Sequence, residues 1–163
     1  MRKICLSLLL FLLGQSFAFA QKNKNYLKIS TGAEITTGIF QEGFNTGFGI
    51  YLTDYFSVIE GGSILLSTGI ASWKGNNHSG KAGLVLTRLG YRQFLGAGLY
   101  IQGDGGLGIG LENFSGRTRF SFGGGPGYLF KSKNGGGFDI ATRVNRYGYR
   151  TWFGVAAGYQ FKL

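Results

Sequence analysis

Cysteine is almost missing from this chain. The only one, Cys5, lies in the first apolar run, so no disulfide is available to anything after it. A chain that leaves the cytoplasm at this size without a disulfide must be held by its own core or by a lipid environment. Proline is equally rare, with Pro126 alone, and so is histidine, with His78 alone beside Ser79. A single histidine without spaced partners excludes the usual metal clusters and His-assisted nucleophiles, so no metal, cofactor or catalytic residue is expected. Acidic residues number 7 against 17 basic ones, a net charge of +10. After residue 20 no apolar run is long enough to form a membrane helix.

Residues 1–20 carry targeting information instead. Arg2 and Lys3 precede "ICLSLLLFLL" and "GQSFAFAQ", which supplies a charged start, an apolar core and small residues at Ala18 and Ala20. This pattern predicts a secretory signal peptide cut after Ala20, and "KNKN" follows as a polar boundary rather than a continued span. Residues 21–163 are then one domain, rich in glycine (31 residues in the whole chain) and aromatics (16%) and poor in helix formers.

What remains is a rule of two. Apolar residues recur at every second position in eight segments, roughly 26–36, 43–53, 55–67, 81–91, 97–109, 118–130, 138–146 and 150–163. The joints carry turn residues, among them "TDY" at 53–55, "WKGNNHSG" at 73–80, "SGR" at 115–117, "KSKNGGG" at 131–137 and "YGY" at 147–149. In the fifth segment Leu99, Ile101, Leu107 and Ile109 share one face against Tyr100, Gln102 and Asp104. Phe120, Phe122, Tyr128 and Phe130 likewise oppose Arg119 and Ser121. Phe138, Ile140 and Val144 oppose Asp139, Arg143 and Asn145, and Leu27, Ile29 and Ile35 oppose Lys28, Ser30 and Glu34. The third and fourth segments, "SILLS" and "GLVLTRL", are apolar on both faces, so alternation leaves their registers open.

A soluble sandwich also alternates, but an even number of segments of about ten residues suits tilted strands that close into a membrane barrel. The polar face carries both signs in mid-segment. Lys28, Glu34, Glu60, Arg88, Asp104, Arg119, Asp139 and Arg143 are predicted to meet as an ion-pair network across a narrow lumen. Tyr51, Tyr55, Phe56, Tyr91, Phe94, Tyr128, Phe130, Tyr159 and Phe161 fall near segment ends, as an aromatic girdle would. The spare cations divide between the two rims. Lys74, Lys81, Arg117, Arg146 and Arg150 go to one, and Lys22, Lys24, Arg92, Lys131, Lys133 and Lys162 to the other. That spread fits lipid phosphates better than nucleic acid. "GDGGLG" at 103–108 has the spacing of a nucleotide loop but no helix after it, and "GGGPG" at 123–127 reads as flexible strand with Pro126 outward.

The last segment, "FGVAAGYQFKL", keeps Phe153, Val155, Ala157, Tyr159, Phe161 and Leu163 on one face to the final residue. It resembles the C-terminal strand signal of bacterial outer-membrane β-barrel proteins, with Tyr159, Phe161 and Leu163 as the residues read by the barrel-assembly machinery. With the signal peptide and eight segments, the chain resembles the small eight-stranded family typified by OmpA transmembrane domains and OmpX, in its Bacteroidetes-type form. The resemblance implies an all-β, up-and-down antiparallel transmembrane barrel over residues 21–163, monomeric and located in the bacterial outer membrane. Lipids and lipopolysaccharide would be its partners. It implies a non-enzymatic, structural or interaction role with a lumen plugged by ion pairs. The alternatives are a narrow pore for small solutes or ions, a soluble secreted β-protein and a lipid-A-modifying enzyme, the last disfavoured because adjacent His78 and Ser79 point apart if extended.

Overall fold

Sustained alternation with almost no proline favours long strands, and each run carries a face that can be buried only against other strands. In the computed structural model these runs form β1 (Asn25–Thr37), β2 (Phe44–Ile59), β3 (Gly62–Gly75), β4 (Lys81–Gly96), β5 (Leu99–Glu112), β6 (Thr118–Lys131), β7 (Gly137–Tyr147) and β8 (Arg150–Lys162). The structure describes residues 25–37, 44–75, 80–112, 114, 116, 118–133 and 135–163. The expected signal peptide, Lys22, Lys24, His78, Ser79 and Arg117 lie outside them.

Each strand pairs antiparallel with its neighbours in chain order, and β1 pairs with β8, so the sheet closes into a barrel. Closure removes every strand edge. Tyr26 lies opposite Lys162, so both ends of the described chain meet at one rim, the terminal rim. The β2–β3, β4–β5 and β6–β7 turns share it, and the opposite strand ends form the far rim.

The faces are inverted relative to a soluble sandwich. Ile29, Ile35, Phe48, Ile50, Leu107, Phe120 and Val155 point outward, each more than half exposed, while Lys28, Glu34, Arg88, Asp104 and Asp139 are buried inside. Strands β1, β5, β6 and β7 present the faces that alternation predicts. The doubtful registers resolve with Ser67 opposite Arg88, so Leu65, Ser67, Ala71 and Trp73 of β3 and Leu84, Leu86, Arg88 and Arg92 of β4 all face inward. Pro126 points outward, and the β6–β7 pairing is interrupted at Gly125 and Pro126, where the ring nitrogen has no hydrogen to donate.

Three boundaries differ from expectation: β3 runs on past 67 to Gly75, β4 runs past 91 to Gly96, and the β2–β3 reversal is displaced. "TDY" at 53–55 is not a turn: β2 runs through it, with Asp54 opposite both Leu27 and Leu66. Thr53 and Tyr55 point inward, and Thr53 shares a 3.0 Å hydrogen bond with Ser67. The chain reverses instead at Glu60 and Gly61, where Gly61 has φ 73°, a conformation open to glycine at little cost. Two ladders outweigh the local turn preference of a single aspartate.

Candidate functional site

Eight strands enclose only enough room for side chains, so the lumen is where this chain concentrates its chemistry. Asp139 of β7 is fully buried and faces Lys28 of β1, which pairs with it directly. Tyr100 of β5 donates its hydroxyl to both carboxylate oxygens at 2.9 Å. Arg92 of β4 approaches Asp139 at 3.4 Å. Its guanidinium carbon lies 3.9 Å from each of the Tyr55 and Tyr100 ring centroids, held between two aromatic faces. Arg92 also donates to the Tyr55 hydroxyl, to Gln102 Oε1 at 3.0 Å and to Gln160 Oε1 at 3.1 Å.

A second cluster occupies the middle of the lumen. Arg88 reaches Asp104 Oδ1 at 3.3 Å, Asn145 Oδ1 at 2.8 Å and Ser121 Oγ at 2.6 Å. Arg143 pairs with the other oxygen of Asp104. Glu34 accepts from the Tyr51 hydroxyl. A Cβ at Gly123 would lie 2.8 Å from Arg88 Nη1, so glycine here is what admits the two guanidiniums.

Beyond these charges, toward the far rim, the lumen is apolar. Phe44, Ala71, Trp73, Ala82, Leu84, Leu86, Phe114, Tyr147 and Trp152 form one buried cluster. Trp73 and Trp152 meet edge to face at 5.1 Å between centroids. Phe114, from the β5–β6 connection, folds into the mouth against Phe44 at 5.7 Å and Tyr147 at 6.3 Å, with the Arg150 guanidinium 4.1 Å from its ring.

The predicted network is therefore brought together in part. Lys28, Arg88, Asp104, Asp139 and Arg143 form ion pairs, and Glu34 is buried beside Tyr51. Glu60 and Arg119 stand apart. Glu60 is exposed in the β2–β3 turn, because the reversal expected at 53–55 falls at 60 and 61 instead. Arg119 has an inward position but sits at the far rim, 5.3 Å from the Tyr149 ring. Arg92, assigned by sequence to a rim, is among the most deeply buried residues. The expected girdle also divides: Tyr91, Tyr128, Phe130, Tyr159 and Phe161 are outward and exposed, whereas Tyr55 is buried in the lumen and Tyr51 hydrogen-bonds within it. Leu163 is exposed as well.

At the terminal rim the lumen is open. A cavity of about 340 Å³ is lined by Tyr55, Ser63, Arg92, Phe94, Lys131 and Gln160 among others.

Barrels of similar fold are found among solved structures. The crystal structure of Ail, the attachment invasion locus protein of Yersinia pestis, superposes with a TM-score of 0.59 at 14% identity, covering 86% of this chain and 100% of that one. The fold is that of the small transmembrane β-barrels. Neisserial surface protein A gives a TM-score of 0.58 at 13% identity, covering 85% of this chain and 97% of its own. A de novo designed transmembrane β-barrel gives 0.51 at 13% identity, covering 86% and 96%. At such identities the similarity is one of fold. No protein-family model matches the chain, and no curated protein matches it in sequence.

Proposed function

We propose that the chain is an integral protein of a bacterial outer membrane, with residues 1–20 as a cleaved signal peptide and residues 21–163 as a monomeric barrel of the OmpA- and OmpX-like, Bacteroidetes-type group. Its role is structural or one of interaction. The observation that carries this reading is the inverted barrel: apolar side chains outward around a closed ladder, charges inward. Only hydrocarbon outside makes that arrangement favourable. The similarity in fold to Ail and to Neisserial surface protein A supports the same location.

The filled lumen supports a closed barrel rather than a pore. Its charged groups are engaged with one another, which supports a non-enzymatic role. At the far rim Lys74 and Lys81 lie directly opposite across β3 and β4, both exposed, with exposed Arg146 at the same rim. Like charges so placed repel unless an anion lies between them. Phosphates of lipopolysaccharide and other outer-membrane lipids are the partners this favours. Ail has been crystallised with the heparin analogue sucrose octasulfate, a ligand of the same charge class. The outward Tyr159, Phe161 and Leu163 would present the last strand to the barrel-assembly machinery.

The test is fractionation. The protein should sediment with outer membranes, and an unboiled sample should migrate differently from a boiled one on a denaturing gel. Recovery as a soluble periplasmic protein would overturn the reading.

A further inference from the structure

The buried charges of the lumen are unevenly matched along its length. In the middle, Arg88 and Arg143 share Asp104, with Glu34 buried nearby. Nearer the terminal rim, Lys28 and Arg92 are both buried and share one carboxylate, Asp139. Two cations against a single acid leave an excess positive charge where water is scarce, and such a charge demands a counter-ion.

The open cavity abuts this excess. Arg92 lies in its lining and Lys131 joins it, yet no aspartate or glutamate is found among its described lining residues. Its polar groups have donors to offer. The Tyr55 oxygen and Gln160 Oε1 both accept from Arg92, which leaves the tyrosine O–H and the glutamine NH2 for something else. Ser57 and Ser63 add two hydroxyls. Phe94 and Leu129 supply an apolar wall on the same cavity. Residues 21–24, "QKNK", contain no acidic side chain. The strands wall the cavity from the outer face, so a ligand enters from the water at that rim.

We propose that the open end of the lumen binds a small organic anion, a carboxylate or phosphate monoester held by Lys131 and the donors around Arg92, with its apolar body against Phe94 and Leu129. The site lies beyond the barrel role proposed above, and its test does not depend on which membrane holds the protein.

The folded barrel in neutral detergent would be titrated calorimetrically with phenyl phosphate, with inorganic phosphate and with benzylammonium, a cation of similar shape. Saturable binding of phenyl phosphate is expected, with weaker binding of inorganic phosphate and none of benzylammonium. Lys131 is exposed, so Lys131→Gln should fold normally and weaken phenyl phosphate about tenfold, as loss of a charged hydrogen-bond partner does. Lys133→Gln removes an exposed cation of the same turn outside the cavity lining and should leave affinity unchanged. Absence of saturable phenyl phosphate binding, equal binding of benzylammonium, or equal losses in the two lysine variants would overturn the site.

Discussion

At the scale of single residues, Asp139 joins four strands: it receives Lys28 from β1, Arg92 from β4 and the hydroxyl of Tyr100 from β5, and itself belongs to β7. Asp139→Asn removes the carboxylate that these two cations share. Breaking a buried pair in this way costs about 3–5 kcal/mol. Glu60→Gln changes an exposed turn position and should stay within about 0.5 kcal/mol of the parent. Denaturant midpoints of the two variants, folded in lipid vesicles, measure the difference, and coincident midpoints would contradict the lumen contacts. Arg92 was legible in principle. It lies four residues after Arg88 on one strand, and a period of two puts both on the same face. A segment ended at 91 hid it.

At the scale of elements, β8 separates three substitutions that alternation ranks differently from the fold. Val155 faces outward from the middle of the strand, and Arg there should cost about 2–4 kcal/mol at a bilayer midplane. From alternation alone, Gln160→Arg is the mild change, since the residue faces the lumen. In the fold Gln160 is buried and accepts from Arg92 at 3.1 Å, so a second guanidinium would be driven against the first. Gln160→Arg should therefore reduce the heat-modifiable, membrane-inserted fraction as Val155→Arg does. Phe161→Arg, near the rim, should refold in vitro yet insert poorly in cells if the last strand carries the assembly signal. A wild-type inserted fraction for Gln160→Arg would sink the proposed contact with Arg92.

For the molecule as a whole, the lumen is filled in two ways, by charge pairs from the terminal side to the middle and by an aromatic plug toward the far rim. Trp73 and Trp152 are each 1% exposed within that plug. Their fluorescence should resist both aqueous iodide and spin-labelled lipid, because neither water nor hydrocarbon reaches them. Strong quenching by spin-labelled lipid would mean that the tryptophans belong to an outer girdle. The same packing should leave planar bilayers without stepwise conductance.

Alternation along the chain specifies an all-β protein of eight strands and the inside and outside of β1, β5, β6 and β7. Side chains alternate along a strand whatever its partners are, so this information is local. Where β2 ends, which way Tyr51 and Tyr55 turn, and how Trp73, Tyr147, Trp152 and Phe114 close the far end together follow from the fold. The fold alone brings Lys28 to Asp139 and Arg92 into the lumen beside them. Those meetings depend on the register of eight strands around a ring and on β1 pairing with β8, and no window of one strand's length carries that register.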